Sequence, residues 1–143
     1  MKIITLTTQI RNNLIAIISL IIAITALSYN TWRNEQTEKN RNTRMAAFEV
    51  LKELGELQII VNNSHYQHDK AMGNPFLGWG HIAIISDLGQ LLPNPVPNHV
   101  KTLTEVWSNN WEKIPTNDSA IDSITNEIDQ SRESVLGALR QLK

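Results

Sequence analysis

The chain has 143 residues, and its 13 Lys and Arg residues against 14 Asp and Glu residues give a net charge of −1. This balance provides no basic surface for nucleic acid, so we expect no nucleic-acid partner. The absence of cysteine excludes disulfides, thiolate zinc sites and cysteine nucleophiles. Phosphate-binding loops, nucleophile elbows and zinc-protease motifs are also missing from the sequence. We therefore predict a protein that is not an enzyme and that needs no cofactor.

One apolar segment near the N-terminus dominates the sequence. It reads LIAIISLIIAITALSY over residues 14–29 and contains no charged residue, no Gly and no Pro. A membrane-spanning helix needs about 20 mostly apolar residues, and the polar and aromatic neighbours of this run supply that length. Tyr29 and Trp32 follow where an interfacial aromatic belt would lie. We predict a transmembrane anchor over residues 12–32, preceded by a cytoplasmic tail over residues 1–11.

Two other interpretations of this segment stay open. It could be a cleaved signal peptide, because Lys2 and Arg11 form a basic region and residues 26–28, Ala-Leu-Ser, offer small residues for a peptidase. The anchor is favoured because the apolar run slightly exceeds the usual length in signal peptides and the pattern beyond it remains helical. A buried core helix of a soluble protein fits less well, since isoleucines on every side leave no polar face.

The charges that flank the segment bear on its orientation in the membrane. Basic residues are almost equally frequent on both sides, so their count decides little. The short N-terminal tail has no acidic residue and directly precedes the first apolar segment, which favours an N-terminus in the cytoplasm. We expect a single-pass protein of the bacterial inner membrane with its C-terminal domain in the periplasm.

Small residues recur inside the predicted anchor. Their spacings of three, four and three place them on one stripe of a helix; they are Ala16, Ser19, Ala23 and Ala26. In lipid, small residues allow two helices to approach closely, so the stripe suggests packing against a second copy or another membrane protein. The alternative is that such residues are simply common in membrane helices.

The rest of the chain predicts helices as well. Residues 33–44 contain no apolar side chain and are expected to form a polar helical stalk. Residues 45–143 carry four segments with apolar residues at helical spacing, separated by breaks that contain Pro and Gly. We predict an all-α fold in which the N-terminal transmembrane helix is followed by an antiparallel four-helix-bundle-like domain with a long first helix.

Several local features of this domain are also predicted. The first helix is expected to continue to about Asp69, with Glu53 among the charged residues that lie mostly opposite its apolar face. LPNPVPN, residues 92–98, is expected to be an extended connector because of its three prolines. Ser119 and Asp122 resemble a capping box at the start of the fourth helix.

Few residues in the domain are candidates for a binding site. His65, His68 and Asp69 would share one helical face and form a weak candidate metal site, although histidines near a helix C-terminus also interact well with its dipole. Tyr66 and Trp79, with the same His and Asp residues, form the candidate partner-binding surface. For Trp79 the alternative is a core residue that covers the end of an apolar helix.

Several short motifs resemble those of a known group of proteins. The run YNTWRNEQTE from residue 29 resembles sequences of small single-span envelope proteins of proteobacteria. The same resemblance extends to four shorter motifs: His65-Tyr66, Asn74-Pro75, Gly78-Trp79 and Pro95-Val96-Pro97. That group has no assigned activity, so the resemblance implies a location and not a reaction. The layout also resembles chemoreceptor ligand domains, without their second membrane helix, and phage spanins, without their uninterrupted coiled coil.

Two classes of function are compatible with this sequence. The favoured one is a membrane-anchored, non-catalytic interaction or accessory protein of the bacterial envelope, whose helical domain docks an envelope protein or another copy of itself. The alternative is a periplasmic sensor or carrier domain that binds a small ligand or metal, whose identity the sequence does not reveal.

Overall fold

The computed structural model describes residues 13–67 and 71–142, and within these ranges the chain forms helices and no strand. Four α-helices follow one another in the described ranges: α1 Leu14–Asn62, α2 Gly78–Gly89, α3 Val96–Asn110 and α4 Asp118–Gln141. Shorter helical turns lie at Asn63–Gln67, Pro75–Leu77 and Trp111–Lys113. The predictions of an all-α protein and of a long first helix are confirmed. The predicted tail, residues 1–11, lies outside the described residues.

The chain divides into two compact units, with the boundary between Lys39 and Asn40. In the first unit, residues 13–39 are all exposed. Its apolar stretch has a mean hydropathy of 2.0 and no buried residue, which makes α1 long and apolar enough to cross a membrane. A signal sequence would have the same properties. The hydroxyl of Thr25 donates a hydrogen bond to the carbonyl oxygen of Ile21 (2.8 Å), so this polar group is satisfied within the helix.

The second unit, residues 40–143, contains the hydrophobic core and is called the helical domain below. Here the burial of α1 follows a seven-residue repeat, whose positions are lettered a to g with Met45 at position a. Every residue at positions b, c and f between 46 and 64 is buried. These buried residues are Ala46, Ala47, Val50, Glu53, Leu54, Leu57, Ile60, Val61 and Ser64. Six of them, Ala46, Ala47, Val50, Leu54, Leu57 and Val61, form one core cluster with apolar residues of α2, α3 and α4, among which Trp107 is fully buried. The domain therefore has one core to which all four helices contribute.

Polar contacts fix the direction of α4 along the domain part of α1. Arg44 donates to the carbonyl oxygen of Leu142 (3.4 Å), and Gln58 donates to the hydroxyl of Thr125 (3.2 Å). Residues that come later in α1 thus contact residues that come earlier in α4. The two helices are antiparallel over this range.

Two glycines of α2 allow close packing against α3. A Cβ atom at Gly78 would collide with the ring of Trp107, and one at Gly89 would lie 2.8 Å from Cγ2 of Val100. By contrast, a Cβ atom at Gly80 would meet nothing within 4 Å. Gly78 and Gly89 are therefore required by the distance between the two helices.

Three local predictions need correction. The α-helical part of α1 ends at Asn62 and continues as a π-helical turn to Gln67, so it does not reach Asp69 as a regular helix. The connector is shorter than residues 92–98, because α3 already begins at Val96; proline fits the first turn of a helix, where its missing N–H is not needed. Asn117, and not Ser119, caps α4, since its side-chain oxygen accepts from the backbone N–H of Ala120 (2.9 Å).

Candidate functional site

Three turns meet at one end of the helical domain. This end is called the turn end below, and it comprises residues 63–67, 71–78 and 111–118. His65 joins two of these turns, because its Nδ1 lies 2.7 Å from the carbonyl oxygen of Ile114 and its Nε2 lies 3.2 Å from Oδ1 of Asp118. The rings of Phe76 and Trp111 meet at a centroid distance of 6.4 Å. These contacts hold together segments that are far apart in the sequence.

Large apolar side chains at the turn end are exposed to solvent. Four of them are at least half exposed: Tyr66 (70%), Met72 (64%), Phe76 (66%) and Leu77 (50%). The ring of Tyr66 also packs edge-on against His65, with a centroid distance of 4.7 Å. Single exposed apolar residues are ordinary on protein surfaces, whereas several at one end together form a feature typical of contact surfaces. Tyr66 thus lies where a partner could reach it.

Trp79 has a different environment from Tyr66. It is only partly exposed and packs against the core. Its ring makes edge-to-face contacts with Trp107 (6.5 Å between centroids) and Trp111 (6.3 Å). This geometry fits the interpretation of Trp79 as a residue that covers the end of the core. Any role in partner binding would have to use the edge that remains exposed.

Only one residue of the candidate metal site can be located. His68 and Asp69 lie outside the described residues, while His65 directs both ring nitrogens at oxygen atoms of Ile114 and Asp118. Both contacts can be hydrogen bonds only when the imidazole carries two protons. In the described part of the chain, no group of three or more His, Cys, Asp or Glu side chains could hold a metal ion. The candidate site with His65, His68 and Asp69 stays a prediction.

The small-residue stripe in the first unit is exposed throughout. Ala16, Ser19, Ala23 and Ala26 all belong to α1 and are open to their surroundings. Large apolar neighbours such as Ile15 (83%) and Leu20 (60%) are exposed as well. A close-packing role for the stripe stays a prediction, because it concerns a second helix.

A buried polar cluster on α1 was not predicted from the sequence. Glu53, predicted to lie away from the apolar face, is only 4% exposed and places Oε2 2.7 Å from Nδ1 of His81 on α2. Lys52 lies 3.3 Å from Oε1 of the same carboxylate. Burial alone would raise the pKa of Glu53, but hydrogen bonds from His81 and Lys52 outweigh it and lower this pKa.

The signal that Glu53 is buried was present in the spacing. It stands three residues after Val50 and four before Leu57, which places it on the apolar face. The prediction of an exposed Glu53 was wrong because a charged side chain on the apolar face can be buried when it has partners. A buried carboxylate is tolerated here because cationic and hydrogen-bonding partners compensate for its lost hydration.

A second histidine and glutamate meet between α3 and α4. Glu127 is 7% exposed, and its Oε1 lies 3.7 Å from Nδ1 of His99, which is an ion-pair distance and too long for a hydrogen bond. One turn further along α4, Ser131 is completely buried. The oxygen Oε1 of Glu127 and the hydroxyl of Ser131 have no hydrogen-bond partner among the described residues. The polar atoms of this cluster therefore have fewer hydrogen bonds to compensate for their lost hydration than the pair of Glu53 and His81 has.

An open cleft of about 350 Å³ lies between α2 and α3. Its lining is formed by Ser86, Gln90, Pro97, Asn98, Lys101, Thr104 and Glu105. The size is within the range of small-ligand sites, which are usually more enclosed and more apolar. Lys101 and Glu105 lie 4.0 Å apart across one helical turn, so the cleft offers both charges.

Comparison with family profiles, with curated proteins and with solved structures gives no match for this chain.

Proposed function

We propose that this chain is a membrane-anchored, non-catalytic interaction protein of the bacterial envelope. The first unit would span the inner membrane once, and the helical domain would stand in the periplasm. Support for the anchor comes from the apolar stretch of α1, in which no residue is buried. Exposed Ile and Leu side chains gain free energy when lipid surrounds them instead of water.

The helical domain would be an antiparallel four-helix bundle. The antiparallel contacts between α1 and α4 support this arrangement, as does the single core to which all four helices contribute. Such a bundle presents its connecting turns at two ends. The turn end, with residues 63–67, 71–78 and 111–118, would then be the surface that binds a partner.

The observation that carries this assignment is the group of exposed apolar side chains at the turn end. Tyr66, Met72, Phe76 and Leu77 are at least half exposed while the buried core lies close by. Aromatic residues and Met are enriched at the centre of protein interfaces, where they lose contact with water. A docked protein would cover these side chains.

The cleft between α2 and α3 favours a second function, the binding of a small polar ligand. Its volume of about 350 Å³ and its paired Lys101 and Glu105 would suit a molecule that carries both charges. A ligand in this cleft would touch none of the residues of the turn end. The two functions can therefore be separated by substitution.

The proposed function can be tested by recovery of partners with the full-length protein from mildly solubilised membranes. Tyr66→Ala and Leu77→Ala each remove an exposed side chain at the turn end. Leu91→Ala is the matched control, because Leu91 is 67% exposed beyond the opposite end of α2. We expect a stoichiometric protein partner whose recovery falls with the first two variants and is unchanged with the control.

Circular dichroism must show the same helical content for all three variants. Equal recovery of the partner with Tyr66→Ala, Leu77→Ala and the unchanged protein would contradict the assignment to the turn end. Recovery of a bound small molecule and of no protein, with Lys101→Ala abolishing that binding, would favour the ligand-binding function instead.

A further inference from the structure

The outer face of α1 in the helical domain carries three exposed apolar side chains and is covered by no other helix of the described residues. In the seven-residue repeat that begins with Met45 at position a, Phe48 takes position d and Ile59 takes position a again. These three side chains are 57%, 61% and 47% exposed, respectively. Gly55, at another d position, also faces open space, because a Cβ atom there would meet nothing within 4 Å.

This pattern differs from scattered surface residues. All residues at positions b, c and f between 46 and 64 are buried in the domain core, so positions a and d lie on the opposite side of the same helix. A stripe of a and d residues is the surface that a second helix covers in a coiled coil. The outer face of α1 therefore has the spacing of a helix–helix contact.

We propose that the outer face of α1 pairs with the same face of a second copy of this chain, in a parallel two-stranded contact. The charges beside the stripe support a second copy in this direction. Position e carries Glu49 and Glu56, whereas position g carries Arg44 and then the uncharged residues Leu51 and Gln58. In a parallel pair, position g of one helix faces position e of the next repeat in its partner, so Arg44 meets Glu49 of the other copy.

An antiparallel pair would instead place position e against position e. Glu49 and Glu56 would then face acidic residues of the other copy, which is unfavourable. The parallel direction also rests on the proposed anchor, because copies anchored in one membrane present α1 in the same direction. Confinement to a membrane raises the effective concentration of the copies and favours even a short contact.

Lys52 is the one charged residue within the stripe, at position a. Its ammonium lies 2.5 Å from Oε1 of Glu49 and 3.3 Å from Oε1 of Glu53, so two carboxylates of its own helix compensate its charge. A single Lys at an a position reduces the stability of a coiled coil and restricts its register and number of strands. Lys52 would therefore hold the two copies in register.

Disulfide cross-linking can test this pairing directly, because the chain has no cysteine of its own. Single variants Phe48→Cys and Ile59→Cys of the full-length protein are oxidised mildly in membranes. Equivalent a or d residues face each other in a parallel pair, so both variants should give disulfide-linked dimers. Ala83→Cys and Asn126→Cys, exposed positions on α2 and α4, are matched controls and should give several-fold less dimer.

The variant Lys52→Glu, made together with Phe48→Cys, should reduce the yield of dimer several-fold, while Lys101→Glu should leave it unchanged. The pairing is overturned if Phe48→Cys and Ile59→Cys cross-link no better than the controls in protein of native helical content. It is also overturned if they cross-link only to another protein. A disulfide between one copy carrying Phe48→Cys and another carrying Ile59→Cys, in place of both symmetrical dimers, would overturn the parallel direction.

Membrane and soluble fractions are measured in the same samples, which separates this inference from the proposed function. Protein found only in the soluble fraction would contradict the anchor, and the cross-linking result there would still decide whether the outer face pairs. Protein found in the membrane without symmetrical cross-links would leave the anchor supported and overturn the pairing.

Discussion

Two stretches of α1 have the same secondary structure and opposite relations to their surroundings. Between residues 14 and 32 every side chain is exposed, whereas between residues 46 and 61 eight side chains are buried. Apolar side chains of one helix can thus be removed from water in two different ways. Within the helical domain the apolar side chains on one face of α1 are buried by α2, α3 and α4, while those of the first stretch would be covered by lipid.

A pair of leucines in the same helix gives the sharpest test of this contrast. Leu54 is fully buried, and Leu20 is 60% exposed. Replacement of a buried Leu by Ala typically costs about 2–5 kcal/mol, from lost burial and the cavity left behind. We expect Leu54→Ala to destabilise the helical domain by that amount in urea denaturation followed by circular dichroism.

Leu20→Ala is the matched control for this experiment, since it removes the same atoms from the other stretch of α1. It should leave the denaturation midpoint of the helical domain unchanged. Equal effects of the two substitutions on the domain would show that the two stretches of α1 do not differ in the way described.

A smaller effect is expected where α2 packs on α3. Gly78→Ala introduces a methyl group that collides with the ring of Trp107, and overpacking of a core costs about 1–3 kcal/mol. Gly80→Ala adds the same group to the same helix at a position with open space. Thermal unfolding should show a lower midpoint for the first variant only, and an unchanged midpoint for Gly78→Ala would refute the close contact.

Stability should also depend on acid through the buried carboxylate of Glu53. His81 and Lys52 lower its pKa from the ordinary value of 4.5, so the folded state holds the proton less tightly than the unfolded chain. The resulting stabilisation is complete above pH 4.5 and is lost as the pH falls through the lower pKa of the folded state.

Glu53→Gln should therefore reduce the loss of stability on acidification below that pH, as measured by urea denaturation at a series of pH values. Glu56→Gln, which removes an exposed carboxylate from the same helix, should keep the slope of the unchanged protein. Identical slopes for all three proteins would show that Glu53 is not held ionised by its partners.

The smallest effect is predicted for a glycine on the outer face of α1. Gly55 lies inside the helix and faces open space, so a methyl group can be added without a clash. Ala is favoured over Gly in a helix interior by about 0.5–1 kcal/mol. Gly55→Ala should raise the unfolding midpoint of the helical domain slightly, and a decrease would indicate that close approach of another chain requires this glycine.

Much of the fold follows from the sequence because its pattern is strongly periodic. The apolar positions of α1, α3 and α4 repeat at helical spacing, and buried residues such as Trp107 occupy that repeat. The ends of the helices were less predictable. The Pro residues after Leu92 suggested an extended segment, but helix starts also accept proline, and the choice depends on packing of Val96 in the core.

The site was only partly predictable, for a physical reason. Spacing predicted a shared helical face for His65, His68 and Asp69, but it gave no sign that Ile114 and Asp118 would lie beside His65. Contacts between residues far apart in sequence depend on how helices pack, which the helical period does not specify. The pairs Glu53–His81 and Glu127–His99 were missed for the same reason, since each joins two different helices.

The central claim is that the apolar stretch of α1 stays attached to the helical domain and lies in the membrane. The most direct measurement is the intact mass of the protein recovered from membranes washed with alkaline carbonate. We predict that the washed membranes retain the protein and that its mass includes residues 14–29. A soluble species whose mass corresponds to a chain beginning near Tyr29 would contradict the claim and identify the segment as a cleaved signal.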